Sequence, residues 1–156
     1  MADSIRERII QECEYQLTQL ILAKGFNTNA GANSERGRVS WEDDDAPCMS
    51  VFPQAETAER TQYRAEKMTM PFKIDVIDTY TPATETASKH GEKVLADIRE
   101  SMHKIVKNPA GTLSDDVIYQ GGGVQEFPEK SKAIVGVTAT FNIIYQTKIG
   151  DPYKQP

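Results

Sequence analysis

Glycine, histidine, cysteine and clustered carboxylates are the residue types here whose spacing invites a chemical reading. Gly121-Gly122-Gly123 is the most tempting run. A phosphate-cradling loop needs spaced glycines followed by Gly-Lys-Ser/Thr opening a helix, whereas Val124-Gln125-Glu126 follows here. A hairpin turn or a bulge that uses glycine's positive φ is the expectation instead. His90 and His103 fall on one expected helix, where thirteen steps place them about 140° apart. They cannot converge on a metal from one face, and both read as surface or boundary residues. Cys13 and Cys48 have no cysteine or histidine at ligand spacing. The sequence leaves a disulfide between them open, with reduced thiols the expectation. Glu42-Asp43-Asp44-Asp45 lacks the alternation of a calcium loop and reads as a solvated turn. No Gly-X-Ser-X-Gly elbow occurs, and no cysteine has an evident base. The expectation is a protein without catalysis, metal or cofactor.

The elements that must position these residues are legible from periodicity. Ser131–Thr147 alternates with Ala133, Val135, Val137, Ala139, Phe141, Ile143 and Tyr145 on one parity, which predicts a long central strand with one buried face. Ile5, Ile9, Cys13, Leu17, Leu20 and Ile21 recur at steps of three and four and predict a helix from Ser4 to about Ala23, ended by Gly25. Arg38–Trp41 and Cys48–Phe52 read as short strands. Met68–Asp78 alternates around Pro71, which suggests an edge strand or a bulge. A second helix is predicted from Ala83 or Thr84 to Asn108-Pro109, with Ala87, Gly91, Val94, Leu95, Ile98, Met102 and Ile105 buried. Ala110–Asp116 reads as a turn. Val117–Gln120 and Val124–Phe127 read as short strands broken by the glycines. The order predicts an α+β domain over 1–156: a mostly antiparallel β-sheet with two helices packed on one face.

Two polar segments fall outside that core. Residues 54–67 are strongly charged and read as a loop or projecting arm, in which Arg60, Tyr63 and Arg64 are types enriched at protein interfaces. Residues 148–156 read as a polar tail. The chain has 156 residues, a net charge of −5 and 38% hydrophobic residues. That balance argues for a single globular domain and against the basic footprint of a sequence-reading nucleic-acid protein. No apolar run reaches the roughly 20 residues of a membrane helix. The start, M-A-D-S-I-R-E-R, lacks the apolar core of a signal peptide, so a cytosolic site of synthesis is expected.

The chain resembles the tail terminator (minor tail or tail-completion) proteins of long-tailed bacteriophages. The resemblance rests on the opening helix Ile5-Arg6-Glu7-Arg8-Ile9-Ile10 and on Pro47-Cys48-Met49-Ser50-Val51-Phe52 after an acidic turn. It continues through the Met68–Val76 strand, the Ala83–Val106 helix and the closing Val135–Thr147 strand leading to Gly150-Asp151-Pro152-Tyr153. It implies a non-enzymatic virion protein, made in the host cytoplasm, that forms a homo-oligomeric ring, typically a hexamer. The ring would cap the head-proximal end of the tail tube, end tube polymerisation and meet the head–tail connector. Genome DNA would pass through its lumen without specific binding. On this reading Arg60, Tyr63, Arg64, Asp151, Pro152 and Tyr153 are the expected subunit or partner contacts. Alternatives are a head-side connector or stopper protein of the phage neck, and a small-ligand-binding regulatory domain.

Overall fold

A computed structural model describes residues 2–105, 113–127 and 133–156. Helix α1 (Ile5–Thr18) opens the chain, and the Ser4 hydroxyl accepts the Glu7 amide at its N-terminus. It is shorter than the predicted helix. A separate 3-10 turn, Leu22–Lys24, follows, and the left-handed Gly25 closes that turn rather than α1. The strands are β1 (Ser34–Arg36), β2 (Cys48–Pro53), β3 (Thr57–Arg60), β4 (Ala65–Thr79), β5 (Ser114–Glu126) and β6 (Ile134–Lys148). Helix α2 (Ala87–His103) separates β4 from β5 and is capped by the Thr86 hydroxyl. It begins later than predicted, and the Asn108-Pro109 stop lies outside the described residues.

The strands form one sheet in the order β1-β2-β4-β6-β5, with β3 beside the start of β4. Among the described residues only the β1–β2 pair is parallel. The long strand β6 is central, as its alternation predicts, although Ser131 and Lys132 lie outside the described residues. Arg38–Trp41 is not a strand; the short parallel strand lies just before it, at Ser34–Arg36.

Met70, Phe72, Ile74 and Val76 of β4 meet Val137, Ala139, Phe141 and Ile143 of β6 on one face. The buried stripes of α1 and α2 close over that face in a single apolar cluster. Each large side chain fully buried there contributes about 1.5–3 kcal/mol. The fold is therefore α+β, two helices on one face of a mostly antiparallel sheet.

Three local departures have physical explanations. β4 is central despite Pro71. The Pro71 carbonyl accepts the Gln54 amide at 2.8 Å, so its missing N–H faces the gap between β2 and β3 and takes no bond from β6. β5 runs unbroken through the three glycines, its register shifting between Tyr119 and Gly121, where φ is +152°. The run is a bulge, one of the two expected forms. His90, expected at the surface or boundary, is buried, whereas His103 is exposed.

Gly31 marks the closest approach in the core. A Cβ there would lie 2.0 Å from the Leu17 carbonyl oxygen, while the Gly31 amide donates to Leu20 at 2.9 Å. Backbone cannot yield as a side chain can. Gly31→Ala is expected to lose about 1–3 kcal/mol of unfolding free energy in urea melts. A wild-type midpoint would contradict this geometry.

Candidate functional site

The residues singled out in sequence gather at one end of the sheet. Residues 57–69 form a β-hairpin, not an irregular loop: Thr57–Arg60 pairs with Glu66–Thr69, and the turn carries Tyr63 and Arg64. Arg64 adopts φ +58°, uncommon for a residue with a side chain. All four β3 residues are exposed, and Tyr63 is 86% exposed. The tail meets this tip. The Ile149 amide donates to the Arg64 carbonyl at 3.2 Å, and the Pro152 carbonyl accepts the Ile5 amide at 3.0 Å, satisfying a free N–H of α1. Asp151 is used within the turn, accepting the Tyr153 amide and pairing with Lys154. Tyr153 stands half exposed beside it. Arg60, Tyr63, Arg64 and Tyr153 thus share one end, while Asp151 and Pro152 fasten it.

The root of the arm is fixed by a half-buried polar knot. Glu56, in the gap between β2 and β3, accepts the Tyr145 hydroxyl and lies 3.1 Å from the Arg6 guanidinium. Arg6 also donates to the Gln54 carbonyl at 2.8 Å. Burial, and then the Glu56 carboxylate, push the Tyr145 phenol up and keep it a donor. The arm is therefore rooted in α1 and β6 at once. No periodicity pointed to Glu56; its signal appears only once β2 and β3 are seen to share the flank of β4.

The sheet face away from the helices carries a second feature. Residues 38–45 fold over it. The Arg38 guanidinium stacks 3.9 Å from the Trp41 ring centre and pairs with Glu35 and Asp45. Trp41 donates to the Ser50 hydroxyl, which donates to the Arg38 carbonyl at 2.7 Å. Across the face, Phe127 lies over Gly136, where a Cβ would come within 3.0 Å of the ring. Between them is an open groove of about 390 Å³, walled by Val39, Trp41, Phe52, Ile77 and Phe127. Val39 is 90% exposed at its rim. The single charged pair in its floor, Lys73–Asp75, is closed on itself at 2.9 Å.

The remaining clustered ionisable groups act as fastenings. Arg36 of β1 bridges Glu7 and Glu14 of α1, and its hydrogen bond holds the Glu7 carboxyl below its ordinary range. His90 faces Asp78 and Glu85, at 2.8 Å from each ring nitrogen. Cys13 and Cys48 are free and buried, and burial pushes the Cys48 thiol up to about 11. Among the described residues, no group of three or more histidine, cysteine or acidic side chains is placed to hold a metal ion. No described helix is long and apolar enough to cross a membrane.

Set against known proteins, the chain matches no family model and no curated protein. The fold presents two surfaces: an exposed arm at one end of the sheet and an apolar groove on the face away from the helices.

Proposed function

We propose that this chain is the subunit of a homo-oligomeric ring, of the tail-terminator kind, that caps the head-proximal end of a phage tail tube. On this reading the ring ends tube polymerisation and offers a surface to the head–tail connector. Genome DNA passes through the lumen, where the chain's net negative charge disfavours retention.

The observation that carries the reading is the arm. The outer strand of this hairpin, β3, tipped by Tyr63 and rooted by the Glu56 knot, is exposed along its whole length and adds no buried side chain to the core. An unpaired strand edge with an exposed aromatic is a liability for a monomer and an asset for an assembly.

The test is assembly. Wild-type protein is expected to show a ring-sized mass in solution, or to form rings when mixed with tail-tube subunits of the same phage, leaving tubes of fixed length. Arg60→Glu/Arg64→Glu is expected to remain a folded monomer by circular dichroism and to leave tubes uncapped. Normal rings and normal tube lengths from that double variant would remove the arm from the mechanism.

A further inference from the structure

The hydrogen-bond phase of the sheet fixes what its two outer edges present. The strands β3, β4, β6 and β5 lie side by side in that order, each antiparallel to the next. In such a ladder one residue directs its N–H and C=O to one neighbour, and the following residue directs them to the other. The Thr61 amide donates to the Ala65 carbonyl at 2.9 Å, so the odd-numbered residues of β3 bond inward to β4. Ala58 and Arg60 therefore turn both main-chain groups outward. At the two ends of β6, the Ile149 amide donates to Arg64 and the Ala133 carbonyl accepts from Tyr80, so odd-numbered β6 residues serve β4. The even-numbered ones serve β5, where their partners are Gly121, Gly123 and Gln125. Gly122 and Val124 are left turned outward. Nearer the start of β5, the outward Val117 amide is already satisfied, donating to the Asp116 side chain at 2.8 Å. Among the described residues, no main-chain partner meets Ala58, Arg60, Gly122 or Val124 on the outer side.

We propose that β3 of one copy adds to the open edge of β5 in the next, so that the sheet continues from molecule to molecule. Two features of the fold fit a second copy as the occupant. The first is direction. With β4 and β6 between them, β3 and β5 run in opposite senses, so a copy set alongside in the same orientation brings its β3 antiparallel to β5. The second is the face. Ala58 lies opposite Met68, and Met68 and Val124 both pack against the core on the helix side. Outward residues meet as hydrogen-bonded pairs that exchange both N–H···O bonds, with their side chains on a common face. Sheets joined in this way keep their helices on one side. The register that fits sets Arg60 against Gly122 and Ala58 against Val124, the long side chain meeting a glycine and the small one a valine. Because the two edges differ, the contact is heterologous and repeats until it closes, and closure leaves no edge exposed. The inference rests on the ring reading and supplies its subunit contact.

The first test removes one donor and spares the fold. Ala58→Pro deletes an outward N–H on an edge strand, where proline is tolerated, and keeps the bonds to β4. The full-length variant is expected to keep the wild-type circular dichroism spectrum and to stay monomeric at concentrations where the wild type forms rings. The second test is covalent. In the proposed register Glu59 of one copy faces Gly123 of the next as a non-hydrogen-bonded pair, with Cβ atoms about 4.5–5.5 Å apart. Glu59 is exposed, and a Cβ at Gly123 meets nothing within 4 Å, so neither substitution disturbs the monomer. Cys13 and Cys48 are buried and stay silent. Under mild oxidation, Glu59→Cys mixed with Gly123→Cys is expected to yield a covalent dimer containing one of each, and the chain carrying both substitutions a ladder that ends at the ring size. If Ala58→Pro alters the spectrum, the cross-link decides. Wild-type rings that persist in Ala58→Pro and give no such cross-link would overturn the edge pairing and leave the ring reading standing. A wild-type chain that stays monomeric at all concentrations and in the presence of tail-tube subunits would overturn both.

Discussion

Asp97→Ala is expected to destabilise the fold by about 3–5 kcal/mol, the range for removing one partner from a buried charged network. Asp97 is 1% exposed in the middle of α2. Its carboxylate accepts the Asn27 amide at 3.0 Å, the Asn27 side-chain amide at 2.9 Å and the Thr28 hydroxyl at 2.8 Å. It has no cationic partner among the described residues, so these donors alone compensate the loss of water. Truncation would strand three donors, Thr28 among them at 2% exposure. Asp97→Asn keeps an acceptor at one position and is expected to lose less, about 1–2 kcal/mol. The effect would reach further than stability. Residues 26–33 lead from α1 to β1, and the Asn33 carbonyl accepts the Met49 amide at 2.7 Å. Loosening them loosens β1 and β2, which carry the 38–45 segment that walls the groove. Urea melts read the first effect, and hydrogen exchange at the Asn27 amide reads the second. A loss under about 1 kcal/mol for Asp97→Ala would mean that water replaces the carboxylate at little cost.

What the sequence made legible follows from where periodicity is strong. The alternation through β4 and β6 and the stripes of α1 and α2 place nearly all of the core correctly, because burial on one face imposes a period that local chemistry cannot disguise. The misreadings fall where a long-range neighbour outvotes local preference. Pro71 looked like an edge signal, yet it sits in a central strand because its bare nitrogen faces the break between β2 and β3. Three glycines looked like an interruption, yet β6 holds β5 in register across them with one shift.

The surfaces singled out as candidates divide in the same way. Arg60, Tyr63 and Arg64 were visible by residue type, and the hairpin places them on one exposed tip. The groove was not visible. Val39 and Trp41 looked like alternate residues of a strand, whereas they belong to a loop held by Arg38 stacking and by the Trp41–Ser50–Arg38 chain of hydrogen bonds. Nor was His90. A histidine on a helix carries no sign of what the preceding strand and loop will bring to it, here Asp78 at the end of β4 and Glu85 before α2.

That histidine supports the second large effect. Both ring nitrogens of His90 face carboxylates at 2.8 Å, and both bonds are donated together only by the protonated ring. Asp78 is 4% exposed, and besides His90 it accepts only the Thr79 amide. His90→Phe, which keeps a ring of similar size, leaves that carboxylate buried without its side-chain partner and is expected to cost about 1–3 kcal/mol. Removing both partners is a different matter. Asp78→Val/His90→Phe exchanges a buried hydrogen-bonded pair for apolar contacts and should recover most of the loss, so the double variant is expected to be more stable than His90→Phe alone. Strict additivity of the two single losses would show that the pair is not the unit. Glu85 gives the cluster its acid dependence. The Lys93 ammonium at 2.6 Å, and then His90, hold the Glu85 carboxyl below its ordinary value of 4.5. As pH falls the unfolded chain therefore takes up this proton first, so the stabilisation is complete above about 4.5 and is lost as pH drops through the lowered folded value. Lys93→Met removes the larger cause, and the Glu85 carboxyl, followed by NMR titration, should move up toward its ordinary value. An unchanged Glu85 titration would show that Lys93 is not the larger cause. Because this knot joins the end of β4 to the start of α2, it fastens that end of the sheet as the Glu56 knot fastens the arm end.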